Sequence, residues 1–133
     1  MKSFIIHSDG GARGNPGPAA IGAVIAAADG SEIQYISKCI GETTNNQAEY
    51  QAIIAALEKA LELGAEEVRC FLDSELVVKQ LNREYKVKNK ELAPLFVKVY
   101  NLAQGFKKIT FAHVFREENK EADRLVNEAL DAA

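Results

Sequence analysis

Apolar and polar positions follow two different spacings along the chain, and these spacings divide it into short and long segments. Short runs that alternate, or that are continuously apolar, predict five strands. Longer runs with apolar residues three and four positions apart predict four helices. The predicted strands cover residues 4–9, 21–28, 33–40, 68–72 and 109–115. The first predicted helix opens within 43–47 and ends at Gly64, and the others cover 74–81, 91–106 and 119–132.

Local signals fix several of the connections. Glycines and prolines fill residues 10–18, which predicts a loop. Asp29-Gly30 is a strong hairpin signal between the second and third strands. Thr44 and Gln47 have the spacing of a capping box, which predicts the start of the first helix.

The predicted order is three strands, a helix, a strand, two helices, a strand and a helix. This order predicts an α/β fold with a mixed five-stranded sheet, in which three antiparallel strands are followed by parallel βαβ units and flanked by helices. Right-handed crossovers should place the fourth strand beside the first and the fifth beside the fourth.

The composition is that of an ordinary globular protein, and we expect residues 1–133 to form one domain. No apolar run approaches the ~20 residues that span a bilayer, and the first residues lack a signal-peptide pattern, so we expect a cytoplasmic protein. Cys39 and Cys70 lie in apolar segments, where reduced, buried thiols are expected. The net charge of −3 argues against a general nucleic-acid coating protein but not against a nuclease.

Four acids share a position near the end of a strand or the start of a helix: Asp9, Glu49, Asp73 and Asp123. Taken singly, each fits an ordinary turn, cap or helix-dipole role. The first and fourth strands should end at the same edge of the sheet, so Asp9 and Asp73 should be neighbours. Carboxylates that crowd together repel unless cations neutralise them, and oxygen ligands favour Mg²⁺ or Mn²⁺.

The motifs around these acids resemble those of type 1 ribonuclease H over nearly the whole chain. The matching stretches are Ser8-Asp9-Gly10-Gly11, residues 14–18, residues 43–49 from Thr43-Thr44-Asn45-Asn46 to Glu49, Asp73-Ser74, and residues 116–123 from Arg116 to Asp123. The short archaeal and bacterial forms are the most similar. The resemblance implies hydrolysis of the RNA strand of RNA–DNA hybrids, with the four acids holding two Mg²⁺ or Mn²⁺ ions.

The resemblance also implies roles for neighbouring residues. Gly10, Asn15, Asn45 and Asn46 match substrate contacts, since amides can bond base edges and 2′-hydroxyls. Thr44 matches part of a pocket for a phosphate of the DNA strand. Many relatives carry a basic, tryptophan-rich protrusion after the helix that follows Asp73. This chain has no Trp, and its nearby cations include Lys86 and Lys88, which we expect to contact the hybrid.

Two residues before Asp123 could assist proton transfer or product release. His113 has the spacing of an assisting His in some relatives, but it alternates with Ile109 and Phe111, which favours a packed structural side chain. Arg116 lies beyond the strand and is the better candidate. His7 alternates with Asp9 and is interpreted as structural.

Three other functions fit parts of the pattern. They are another nuclease or integrase-like enzyme on the same fold, a hybrid-binding module with a decayed site, and an actin-like ATPase. The four acids and the Thr-Thr-Asn-Asn helix start favour ribonuclease H, and the chain is too short for two ATPase lobes. The RNA–DNA hybrid is the expected partner, and a monomer is the expected state.

Overall fold

The computed structural model describes residues 2–133 and contains five strands and four α-helices. The strands are β1 (Ser3–Ala12), β2 (Gly17–Ala27), β3 (Ile33–Thr43), β4 (Glu67–Leu72) and β5 (Lys108–His113). The helices are α1 (Asn45–Glu62), α2 (Glu75–Leu81), α3 (Ala93–Ala103) and α4 (Lys120–Ala132), with a 3-10 turn at Arg116–Glu118. None of the helices within these residues has the length and apolarity needed to cross a membrane.

The strands form one mixed sheet in the order β3-β2-β1-β4-β5. β1 pairs antiparallel with β2 and parallel with β4, and β5 pairs parallel with β4. The predicted neighbours of the fourth and fifth strands are therefore confirmed. The central position of β1 follows from the right-handed return of each βαβ connection to the same sheet.

Helices cover both faces of the sheet. Gly10 lies against the backbone of Ala48 in α1, whereas Gly11 faces Val126 in α4. Consecutive residues of a strand point to opposite faces, so α1 and α4 lie on opposite sides of the sheet. The larger core lies on the α1 side, where Phe4, Ile6, Ile53 and other fully buried side chains pack together.

The first helix begins as its capping box predicts. The Thr44 hydroxyl accepts from the Gln47 N–H, and the Gln47 side chain accepts from the Thr44 N–H. Two backbone donors at the helix start are thereby satisfied. This cap fixes the start of α1 one turn before Glu49.

Three predictions from the sequence were wrong in detail. The strand predicted to end at Asp9 runs on through Gly10 and Gly11 to Ala12, and β2 already begins at Gly17. The added residues of β1 pair with the start of β2, and the last pair is Ala12 with Ala19. Cys39 is exposed on edge strand β3 and Cys70 is buried, and both thiols are free.

Candidate active site

Asp9 lies within the central strand rather than at its end. Its side chain is almost fully buried, and β1 continues for three residues beyond it. The parallel β1–β4 ladder ends at the pair Ser8–Leu72, so Asp9 and Asp73 each come one residue after it. The predicted proximity of these two acids therefore arises from the register of two adjacent strands.

Glu49 reaches the same point from α1. The Gly10 N–H donates to Glu49 Oε1 at 2.6 Å, and Glu49 Oε2 is buried without a hydrogen-bond partner among the described residues. This contact needs a glycine, because a Cβ at Gly10 would lie 2.2 Å from the carbonyl carbon of Ala48. The missing side chain lets α1 approach β1 closely enough to bring Glu49 beside Asp9.

Asp9, Glu49 and Asp73 form a carboxylate triplet. Each offers one oxygen, and the three oxygens lie within 4.8 Å of one another. The pKa of Asp9 is raised to about 6, mainly by burial; the contact with the Glu49 side chain lowers it, and the charges of Asp73 and Asp123 raise it. Burial, and then the Asp9 carboxylate, hold the pKa of Glu49 well above its ordinary value against the Gly10 hydrogen bond. The triplet therefore resists full ionisation without a counter-charge.

These observations fit a divalent-cation site. Its donors are all carboxylate oxygens, the ligands preferred by Mg²⁺ and Mn²⁺. The buried and unpartnered Oε2 of Glu49 would gain a partner from a bound cation. Asp9, Glu49 and Asp73 are therefore the residues that could hold a metal most directly.

Asp123 is the fourth predicted acid and lies in the first turn of α4. It is outside the triplet, and its side chain is 32% exposed. The side chain of Asn127, one turn along, is 3.5 Å from the Asp123 carboxylate, at the limit of hydrogen bonding. Asp123 lies close enough to raise the pKa of Asp9. It could therefore add a ligand on the open side of the triplet.

The four acids open into one cavity of about 440 Å³ between β1, α1 and α4. Gly10 lines it, but its N–H is already bonded to Glu49. The other lining residues named by the sequence analysis are Asn45, Asn46 and Arg116. The structure thus brings the predicted acids and part of the predicted substrate-binding set to one surface.

Of the two assisting candidates, only Arg116 lines this cavity. Its guanidinium lies 3.7 Å from the Asp123 carboxylate and is 80% exposed. His113 is exposed at the end of β5 and touches the ring of Phe115 edge-on, so it is not the packed core residue that its alternation suggested. The alternation misled because β5 is an edge strand whose last residue extends beyond the core. His7 stacks on Phe71, as its structural interpretation requires.

Two of the three predicted asparagines, Asn15 and Asn45, are held by hydrogen bonds to their side-chain carbonyls. Asn15 Oδ1 accepts from the Asn45 N–H, and Asn45 Oδ1 accepts from the Ala12 N–H. Both side-chain carbonyls are thus used within the protein, and the NH₂ groups of Asn15 and Asn45 remain to donate outward. Asn15, Thr44 and Asn46 also line a second cavity of about 180 Å³, beside Asn89.

Lys86 and Lys88 lie on the exposed connector between α2 and α3, and neither lines the acidic cavity. Asn89 follows them directly and reaches the second cavity. The lysines are therefore close in sequence to a surface that the asparagines share.

Sequence reasoning missed two buried polar contacts. Asn119 is 1% exposed and donates through Nδ2 to the Ser8 carbonyl. The hydroxyl of Tyr50 donates to Gln80 Oε1 at 2.7 Å, which joins α1 to α2. The sequence placed Asn119 at the start of the last predicted helix, and nothing local to it pointed to a partner 111 residues away.

The described geometry has close relatives among known proteins. A family model described as "Reverse transcriptase-like" matches residues 7–129. A bifunctional protein of Mycobacterium tuberculosis is 48% identical over 97% of this chain, which spans 36% of the length of that relative. The crystal structure of RNase H1 from Halobacterium salinarum has 43% identity and a TM-score of 0.95, and the match covers 98% of this chain and 99% of that one.

A further structural relative is LC11-RNase H1, crystallised in complex with an RNA/DNA hybrid. It is 44% identical, with a TM-score of 0.87, and the match covers 97% of each chain. The family model and these relatives match nearly the whole chain, and the structural relatives share its fold. The chain belongs to the ribonuclease H family.

Proposed function

We propose that this protein is a metal-dependent endonuclease that hydrolyses the RNA strand of RNA–DNA hybrids and leaves 5′-phosphate and 3′-hydroxyl ends. The observation that carries the proposal is the carboxylate triplet, in which a buried Glu49 oxygen has no hydrogen-bond partner within residues 2–133. Such a triplet is costly unless cations neutralise it, and family membership supports a nuclease.

Asp9, Glu49, Asp73 and Asp123 would hold two Mg²⁺ or Mn²⁺ ions. Two such ions activate water and stabilise the charge on the leaving oxygen of an in-line phosphoryl displacement. Asp9 lies centrally in the site, since it contacts the Glu49 side chain and is affected by the charges of both other acids. The chain's contribution is to bring four carboxylates, from β1, α1, the end of β4 and α4, to one cavity.

The hybrid would be recognised by the asparagine set. The free NH₂ groups of Asn15 and Asn45 can donate to base edges and 2′-hydroxyls across the minor groove. Asn46 and Thr44 would contribute beside them, with Thr44 near a phosphate of the DNA strand. A relative with 44% identity has been crystallised with an RNA/DNA hybrid, which supports this substrate class.

Arg116 would assist at the reacting phosphate, because it lines the cavity and carries a permanent positive charge. His113 is the alternative candidate for this assisting role. Lys86 and Lys88 would hold phosphates farther along the hybrid.

We further propose that residues 1–133 act as one catalytic domain, as a monomer in the cytoplasm.

Cleavage of matched labelled substrates tests the function. An RNA–DNA hybrid, single-stranded RNA, double-stranded RNA and double-stranded DNA of one sequence are each incubated with Mg²⁺, with Mn²⁺ or with chelator. We expect cleavage of the hybrid's RNA strand alone, and only with metal. Equal cleavage of double-stranded DNA would indicate another nuclease on this fold, and tight hybrid binding without cleavage would indicate a binding module.

A further inference from the structure

Asn119 immediately precedes α4, yet its side chain does not cap that helix. Asparagine is a favoured N-cap residue because its side-chain oxygen can accept from the first free N–H groups of the helix. Here Oδ1 is buried without a partner among the described residues, while Nδ2 donates to the Ser8 carbonyl of β1 at 2.9 Å. The side chain therefore does not cap its own helix but joins two elements that are distant in the sequence.

This hydrogen bond joins the elements that carry two of the four acids. Ser8 precedes Asp9 directly and belongs to the last pair of the β1–β4 ladder. At the other end, the Asn119 carbonyl accepts from the Asp123 N–H at 3.1 Å, in the first turn of α4. One buried side chain thus ties the strand of Asp9 to the helix turn of Asp123.

Other contacts hold the later turns of α4 over the sheet, and these do not involve the turn of Asp123: the Ser37 hydroxyl of β3 donates to the Leu125 carbonyl at 2.6 Å. A Cβ at Gly22 would lie 2.4 Å from the Ala122 carbonyl oxygen, so α4 lies close above β2. The Asp123 side chain itself has only a 3.5 Å contact with Asn127 and a 3.7 Å contact with the highly exposed Arg116. Asn119 is the buried residue nearest to Asp123 in the chain that makes a directional bond to β1.

We propose that Asn119 is a positioning residue that holds Asp123 in place to complete the metal site. The inference rests on the proposed function, in which Asp123 is a metal ligand. Residues that orient the ligands of a metal commonly change metal affinity ~10–100-fold when they are removed. Loss of the Asn119–Ser8 bond should therefore weaken divalent-cation binding without removing any ligand.

Mn²⁺ titration by calorimetry tests this on the full chain, well below its melting temperature. Asn119→Ala removes the donor, and Asn119→Leu removes it while filling the same space in case the alanine variant folds poorly. Tyr50→Phe is the matched control, since it removes an equally buried hydrogen bond that joins α1 to α2. Asp123→Asn is measured alone and in combination with Asn119→Ala.

We expect both Asn119 variants to raise the Kd for Mn²⁺ by about tenfold or more. Tyr50→Phe should lower Tm and leave the Kd unchanged. Asp123→Asn should weaken binding in the native background and have a smaller effect when Asn119→Ala is already present. That reduced effect is the signature of a residue that acts through Asp123.

The possible failures are distinguishable. Weaker Mn²⁺ binding in Asp123→Asn, combined with native binding in both folded Asn119 variants, would overturn the positioning role and leave the proposed function intact. Native Mn²⁺ binding in Asp123→Asn would instead overturn the metal role of Asp123, and the inference about Asn119 with it. Equal losses of affinity in Tyr50→Phe and the Asn119 variants would show a general loss of stability.

Discussion

The backbone N–H of Gly10 and the carboxylate of Glu49 are joined by a 2.6 Å hydrogen bond that connects the central strand to the first helix. The bond occupies one Glu49 oxygen, and the other is buried with no hydrogen-bond partner in the part of the chain that the structure describes. Glu49 is therefore oriented by the backbone, and its remaining oxygen is available to a cation. The close approach of α1 to β1 is what makes this orientation possible.

Gly10→Ala should destabilise the protein and disturb the site. Its new Cβ would lie 2.2 Å from both the carbon and the oxygen of the Ala48 carbonyl, and neither backbone atom can move without shifting α1. Overpacking of this kind costs about 1–3 kcal/mol or more in free energy of unfolding. Denaturation in urea measures this loss in the free energy of unfolding. Gly11→Ala is the control, because its Cβ would meet only Val126 at 3.7 Å, and an equal loss there would refute the explanation.

Glu49→Gln should lower hybrid cleavage by orders of magnitude while the fold is retained. The amide keeps the size of the side chain but removes a negative ligand oxygen, and the loss of charge should raise Tm without metal by relieving repulsion. Glu32→Gln, on the β2–β3 hairpin, is the control with the same chemical change. Near-native turnover of Glu49→Gln at saturating Mg²⁺ would remove this residue from the catalytic set.

Without metal, the protein should become less stable as pH rises from about 4 to above 6. The pKa of Asp9 is raised from 3.8 to about 6 in the folded state, so the folded protein holds a proton that the unfolded chain releases. A raised folded-state pKa contributes stability that is present at low pH and lost as pH passes through the folded value. Scanning calorimetry should show Tm falling across this window, and Mg²⁺ should restore Tm at pH 7.5. A Tm that stays constant across this pH range without metal would contradict the prediction.

Arg116→Ala and His113→Ala should separate the two assisting candidates. Both side chains are exposed, so neither variant should change Tm much. Arg116 lines the cavity beside Asp123, and its loss should lower kcat more than it raises KM. His113→Ala should change kcat less. A larger fall in kcat for His113→Ala than for Arg116→Ala would reverse the two roles.

Lys86→Ala combined with Lys88→Ala should weaken hybrid binding and flatten its salt dependence. Each lost phosphate contact lowers the slope of log K against log salt concentration by about one unit, so the double variant should lose up to ~2 units. Turnover at saturating substrate should change little, because neither lysine lines the acidic cavity. The matched control replaces Lys38 and Lys108, two exposed lysines on β3 and β5. An unchanged slope would place the hybrid elsewhere.

The order of the elements and the start of α1 were predictable from short-range signals, and the strand order then followed from the handedness of the crossovers. The capping box at Thr44 and Gln47 and the alternation of apolar residues needed no knowledge of distant contacts. The end of β1 was not predictable in this way. Gly10 and Gly11 look like turn residues, yet they continue the strand because both faces of the sheet are covered there by helix backbone and side chains.

The parts of the site that sequence reasoning missed depend on tertiary contacts. The four acids could be identified from their motifs, but the sequence did not show that three of them form a tighter group without Asp123. The burial of Asn119 depends on a partner at the other end of the chain. His113 was misjudged because alternation along an edge strand does not reveal where the core stops.

The placement of Asp123 on the last helix has a consequence for the order of synthesis. Asp9, Glu49 and Asp73 are all translated at least 50 residues before Asp123. At ~5–20 residues per second, that interval is roughly 3–10 s. A growing chain therefore contains three of the four carboxylates for several seconds, but the full set only once α4 has been made and docked on the sheet.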